Sequence, residues 1–148
     1  NNAGIGLFKN IENFTIKEWN NLLEINLNTP FIFIKYLIPK MKKNNYGIII
    51  NITSDADHNS FPQGSLYCSS KFALKGLSDS MRKELKGFNI KVTTIAPARV
   101  DTFFNSKKKG DRPNSLSSDD IAQQIINVLN QSTRTEIESI YLNSVLEK

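Results

Sequence analysis

Two rhythms of hydrophobic residues run along the chain, one helical and one extended. Asn1-Asn2-Ala3-Gly4-Ile5-Gly6 carries small and turn-forming residues and predicts an opening loop. Thr15-Ile16-Lys17-Glu18 has the form of a capping box, in which the hydroxyl takes a free N–H and the carboxylate reaches back. Trp19, Leu22, Leu23, Ile25 and Leu27 follow at helical spacing, and the pattern continues through Phe31, Ile34, Leu37, Ile38 and Met41. Pro30 and Pro39 are expected to interrupt or bend this helix, and Asn44-Asn45-Tyr46-Gly47 to end it. Gly47 to Thr53 is β-branched and nearly continuous, as in a strand buried on both faces of a parallel sheet. A loop over 55–64 precedes a long amphipathic helix from about Ser65 to Lys86, with Gly87 as the expected C′ residue. Ile90 to Ile95 predicts a second strand, stopped by Pro97. Residues 99–118 are polar, basic and irregular, with a short helical start. Ser118-Asp119-Asp120 is expected to cap a last helix to about Asn130, and Glu136 to Leu142 to form the final strand.

Helices and strands in alternation imply right-handed crossovers and a parallel α/β sheet. Three strands leave such a sheet with exposed edges, so the pattern reads as part of a doubly wound domain. It contains no internal repeat and no low-complexity tract.

Composition changes this picture little. The chain has 148 residues, 39% hydrophobic and 22% charged, which suits one domain with a real core. The stretch from Phe31 to Ile38 is too short to span a bilayer, and no basic-then-apolar secretory signal opens the chain, so neither membrane nor export is expected. Beginning on Asn1 and not Met, the chain is expected to be a processed product or a fragment. The single Cys68 fits a reducing compartment, the cytoplasm. Net charge is +5, but the basic clusters Lys40–Lys43 and Lys107–Lys109 have no interleaved aromatic residues for stacking on bases, and no nucleic-acid partner is expected.

Candidate chemistry centres on Tyr67-Cys68-Ser69-Ser70-Lys71, which puts a phenol and an ammonium on one helix face. A nearby ammonium and the helix N-terminus both favour the phenolate, so the Tyr67 pKa is expected to fall and the group to become usable for proton transfer. Ser54 lies thirteen positions earlier, at the carboxyl end of the buried strand, where ligands bind in open α/β sheets. It either holds a substrate oxygen or ends the strand in a turn. Asn26 interrupts an apolar helix, either as a satisfied buried amide or as a residue that bends the helix and holds a water. Pro97-Ala98-Arg99-Val100-Asp101-Thr102 follows the next strand, again at a carboxyl end. His58, the only histidine, reads as an exposed loop residue; it shares no metal-ligand spacing with Cys68, and no metal site is expected. Asp55 and Asp57 read as turn residues, and Phe61, Pro62, Leu66, Phe103 and Phe104 as either core or the lining of an apolar pocket.

Asn1-Asn2-Ala3-Gly4, Asn26, Ser54, Tyr67-x-x-x-Lys71 and Pro97-x-x-Val100-x-Thr102 resemble, in order and spacing, the signatures of the short-chain dehydrogenase/reductase family. No one of them is specific, but the set is. The resemblance implies a Rossmann-like doubly wound parallel sheet, represented here from the end of its fourth strand to its seventh. It implies that Tyr67 is the catalytic acid/base, that Lys71 lowers its pKa and holds the nicotinamide ribose, that Ser54 orients the carbonyl, and that Asn26 anchors a water. Asn2, Ala3 and Gly4 would lie along the adenosine ribose of the cofactor, NADP or NAD, and Pro97, Val100 and Thr102 by the nicotinamide. Ala98 stands where the family usually has Gly, and the Gly-rich turn that seats the pyrophosphate is not among these residues. The implied activity is reduction of a small-molecule carbonyl or oxidation of an alcohol, with a 3-oxoacyl thioester as one subtype. The implied assembly is a homodimer or homotetramer, and Ser106 to Ser117 is the implied lid. The alternative is an inactive association scaffold that keeps only the fold.

Overall fold

A computed structural model describes residues 1–147. Thr15 caps the first helix as the pattern requires: its hydroxyl accepts from Glu18 N at 3.1 Å, and the Glu18 carboxylate accepts from Thr15 N at 2.9 Å. The helix runs as α1 (Ile16–Leu23), a π-helical turn (Glu24–Asn28) and α2 (Thr29–Lys43). Neither proline stops it. Pro30 falls in the first turn of α2, where its missing N–H is tolerated, and Pro39 lies within the helix. The break in regularity comes instead at the π turn around Asn26, where Thr29 N bonds back to Glu24 O, five residues away. Asn45, at φ 49°, makes the turn into the sheet.

Three strands, β1 (Gly47–Ile52), β2 (Ile90–Pro97) and β3 (Ser139–Leu142), form a parallel sheet in that order. Ile49 pairs with Val92 and Ile95 with Ile140. On the outer side of β1, Asn1 N donates to Ile50 O at 2.8 Å and Ile52 N donates to Asn1 O at 2.9 Å. This is the bonding pattern of one residue of a further parallel strand. α3 (Ser65–Leu85) crosses from β1 to β2, and α4 (Ser118–Leu129) from β2 to β3.

Boundaries shift where local capping decides them. α3 tightens into a 3-10 turn at Lys86–Phe88, and the left-handed residue that ends it is Asn89 (φ 52°), not Gly87. Ser117, not Ser118, caps α4, in a reciprocal box with Asp120. Only Ser139–Leu142 of the predicted last strand joins the ladder. Residues just before it still serve β2, since Thr94 N donates to Glu138 O at 3.0 Å.

The core lies between the sheet and the helices α2 and α3, where Ile34, Met81 and Leu85 pack with Ile49, Ile90 and Val92. Its largest buried polar side chains are paired. Asn51 donates to Ser78 Oγ at 2.8 Å, and the buried Arg82 donates to Val92 O, Glu138 O and Asp79, each at 2.8 Å. Arg82 thereby ties α3 to both β2 and the approach to β3, leaving little uncompensated desolvation. No described helix is long and apolar enough to cross a membrane.

Candidate active site

The carboxyl ends of β1 and β2 carry the site. Thr53 N donates to Ile95 O at 2.8 Å, so the sheet register continues one residue past β1 and delivers Ser54 to its rim. Ser54 is 7% exposed and extended; its Oγ accepts from Ala56 N at 3.2 Å and donates to the Asp55 carboxylate at 2.9 Å. The turn role and the site role of Ser54 are therefore compatible. The serine caps a 3-10 turn (Asp55–Asp57), and the cap holds its hydroxyl in place.

Tyr67 sits in the first turn of α3 and is 8% exposed. Its ring meets Phe8 edge-on, with centroids 5.4 Å apart, and Phe104 at 5.9 Å. Phe104 can lie there because residue 6 is glycine: a Cβ on Gly6 would come within 2.8 Å of the Phe104 ring. Burial raises the phenol pKa to about 12, against a smaller downward pull from the neighbouring Ser54 hydroxyl; Asp55, Cys68 and Asp57 push it further up. This reverses the direction expected from the Tyr-Lys pairing. The Lys71 ammonium, 5.8 Å from the Tyr67 ring centroid, donates to Ile52 O at 3.0 Å and makes no hydrogen bond to the phenol. An aromatic and aliphatic enclosure thus outweighs a charge held at the ring's side. Lys71 is itself 5% exposed, and burial lowers its pKa to about 8, with Asp57 acting in the opposite sense.

Asn26 is 1% exposed and fully engaged. Its Oδ1 accepts from Ile5 N at 2.9 Å, and its Nδ2 donates to Ile5 O at 2.9 Å and to Ser70 Oγ at 3.1 Å. The side chain is a satisfied buried amide that clamps the opening loop to α3. Gly4 lies against it. A Cβ there would stand 3.4 Å from Asn26 Oδ1 and 3.6 Å from Lys71 Nζ, so bare backbone borders the ammonium.

The structure therefore brings Ser54, Tyr67, Lys71 and Asn26 to one end of the sheet. Asn2 and Ala3 are exposed on the outer side of β1. Pro97 ends β2; Val100 bridges to Leu116; and Thr102 accepts from Phe104 N at 3.3 Å. Among the described residues no hydrogen bond joins Pro97, Val100 or Thr102 to Tyr67 or Lys71. Segment 106–117 is irregular, and Asp101 organises it, accepting from Gly110 N at 2.7 Å and Arg112 N at 3.2 Å. Of the apolar residues, Leu66 is core and Phe103 points out, whereas Phe61 contacts Phe8 at 5.8 Å and lines an open groove of about 480 Å³ with Ile11, Pro62 and Cys68. Two features escaped the sequence. Phe8 stands in a loop without periodicity, and Asp57, read as a turn residue, is fully buried. Its carboxylate lies 2.6 Å from Nδ1 of His58, which is exposed as expected and whose ring packs edge-on against Tyr141.

Residues 1–113 match the short chain dehydrogenase family. This chain belongs to that family. A sepiapterin reductase of Chlorobaculum tepidum is 31% identical over 143 residues, which cover 96% of this chain and 59% of the relative. Among solved structures, an alcohol dehydrogenase of Thermococcus sibiricus complexed with 5-hydroxy-NADP superposes with a TM-score of 0.90 at 27% identity, covering 99% of this chain and 62% of that one. A 3-ketoacyl-(acyl-carrier-protein) reductase of Brucella melitensis complexed with NADH shares the fold, with a TM-score of 0.85 at 21% identity, covering 95% of this chain and 63% of that one. This short-chain dehydrogenase chain spans about three-fifths of the length of the first of these relatives. The three-stranded parallel sheet with its helices is the Rossmann-like α/β fold of the family, with the sheet incomplete.

Proposed function

We propose that this chain supplies the catalytic half of a nicotinamide-dependent carbonyl reductase, and that Ser54, Tyr67, Lys71 and Asn26 form its site. The observation that carries the reading is the meeting of a buried phenol, a buried ammonium and a capped serine hydroxyl at the carboxyl end of a parallel sheet. The residues fit NADP or NAD. The Lys71 ammonium has N–H groups beyond the one given to Ile52 O, and Gly4 leaves backbone open beside it for ribose hydroxyls. Asn2, Ala3 and Gly4 would follow the adenosine side, and Pro97, Val100 and Thr102 the nicotinamide. When bound, the cofactor supplies or accepts the hydride.

Ser54 turns its one hydroxyl proton from the Asp55 carboxylate to the substrate oxygen and holds that oxygen near the phenol. Tyr67 gives its proton to that oxygen as negative charge develops there, or takes it back in the oxidation. Lys71 replenishes the proton, and a water held near Asn26 continues the relay. A phenol at about 12 is a weak acid at neutral pH but a stronger one than the alcohol whose alkoxide forms, so it can protonate that oxygen; in the oxidative direction the cationic ring of the oxidised cofactor would lower its pKa. Phe8, Phe61 and Phe104 favour a carbonyl compound with an apolar substituent, a description that 3-oxoacyl thioesters meet. Segment 106–117 is the lid over this pocket. Phe31, Phe33, Tyr36 and Phe72 leave apolar faces of α2 and α3 exposed, as a homodimer or homotetramer would use them. Action in the cytoplasm belongs to the same proposal.

The Gly-rich pyrophosphate turn lies outside these residues, so activity is a property of a complete domain that joins this chain to nucleotide-binding βα units. The test is oxidation of NADPH or NADH by such a domain on a panel of neutral apolar carbonyl compounds. Turnover in the wild type, lost in Tyr67→Phe with the cofactor still bound, supports the reading. No turnover on any member of the panel with either cofactor refutes it.

A further inference from the structure

The Tyr67 ring has two aromatic covers, and they are fastened unequally. Tyr67 is 8% exposed, so a carbonyl oxygen reaches its phenol only when a ring packed against it moves. Phe8 meets Tyr67 edge-on at 5.4 Å and is backed by Phe61 at 5.8 Å. The loop that carries Phe8 is tied on both sides: Asn26 holds Ile5 through both backbone groups, and Lys9 N donates to Gln63 O at 3.1 Å. Phe104, 5.9 Å from Tyr67, is tied less firmly. Its N–H reaches Thr102 Oγ1 at 3.3 Å, and Phe103 beside it is exposed. The two residues that follow, Asn105 and Ser106, both stand in the left-handed region, at φ 58° and 59°. Residues with a Cβ hold that conformation at a cost, which opposes the closed position of Phe104.

The place that Phe104 fills has the dimensions of a flat ring. Gly6 walls it with bare backbone: a Cβ there would stand 2.8 Å from Cε1 and Cζ of Phe104 and 3.1 Å from Cζ of Phe8. Phe8 and Phe104 both pack against the buried cluster of Ala56, Tyr67 and Cys68. We propose that this place is the substrate's own subsite, so that the carbonyl compound taken by the enzyme carries an aromatic ring on its carbonyl carbon and displaces Phe104 on binding. The proposal rests on the role given to Tyr67 above and adds the class of substrate. Exchange of one ring for another restores the tilted contact with Tyr67, which a flexible alkyl chain does not make. An aryl group also has fewer rotors to freeze than a chain of equal carbon number. Release of Phe104 lets Asn105 and Ser106 leave the left-handed region, which lowers the cost of the exchange.

The experiment measures ketone binding by calorimetry to the complete domain loaded with oxidised cofactor, a dead-end complex with no hydride to give. Acetophenone and 2-octanone, equal in carbon number, are the probes. Phe104→Ala empties the place, so a ring no longer has to be expelled; acetophenone should bind about tenfold more tightly and 2-octanone within about twofold of wild type. Gly6→Ala puts a methyl group into the place and should weaken acetophenone by about tenfold, again with little change for 2-octanone. Equal tightening of the two ketones in Phe104→Ala overturns the proposal, because it makes Phe104 a cover that is indifferent to substrate shape. Unchanged acetophenone binding overturns it as well, and tighter cofactor binding in that variant would then give the place to the cofactor. These readouts are independent of turnover, so the ring subsite can fail while the Tyr67→Phe test upholds the function, and the reverse.

Discussion

Burying Tyr67 and Lys71 side by side should give this domain an unusual stability profile at alkaline pH. Lys71 is lowered from 10.5 to about 8 by burial, so between those values the unfolded chain binds more protons than the folded one, and stability rises with pH. The gap corresponds to about 3 kcal/mol at 1.36 kcal/mol per pH unit. Tyr67 is raised from 10.0 to about 12, so its contribution is complete below 10 and is lost as pH climbs toward 12, again by about 3 kcal/mol. Stability should therefore climb from pH 8, peak near pH 10 and then fall. Urea unfolding at half-unit steps from pH 7 to 11.5 measures this in wild type, Lys71→Met and Tyr67→Phe. Lys71→Met should lose the rise, and Tyr67→Phe should lose the fall. A wild-type curve parallel to that of Lys71→Met between pH 8 and 10 would refute the reasoning, because it would mean that Lys71 is solvated and its burial has no energetic consequence.

Asn26→Leu keeps the volume but strips Ile5 N, Ile5 O and Ser70 of their amide partner; it should cost about 3 kcal/mol in urea unfolding, and a loss below about 1 kcal/mol would contradict the clamp. Amide hydrogen exchange without ligand should find 106–117 far less protected than 48–52, since this segment is held by Asp101, the Leu116 bridge and side-chain bonds to Ser144 and Glu147 and not by a strand ladder; equal protection would remove it as a lid.

Much of this was legible from side-chain pattern alone. β1 announced itself through Ile48–Ile50 and Ile52, and α1 through a capping box that depends on four consecutive residues. The Ser-Tyr-Lys set was legible because its geometry follows from one strand end and one helical turn. What depended on distant packing was not. The π turn arises where Asn26 must reach both Ile5 and Ser70, contacts made 21 and 44 residues away. The phenol's raised pKa comes from Phe8 and Phe104, brought in by two separate loops, whereas the spacing to Lys71 suggested the opposite sign. Asp57 was read from its turn-forming composition, and nothing in a local window says that the turn packs inward against α3.

The central claim is that Tyr67 transfers the proton, and its hydroxyl is the group to remove. Tyr67→Phe deletes one oxygen from a ring already packed by Phe8 and Phe104, so the fold and cofactor affinity of the complete domain should persist. General acid–base catalysis is typically worth about two to four powers of ten, and kcat for carbonyl reduction should fall by that much. A folded, cofactor-binding Tyr67→Phe enzyme that reduces its carbonyl substrate at near the wild-type rate would contradict the account, and would pass the proton donor's role to Ser54 or to a water.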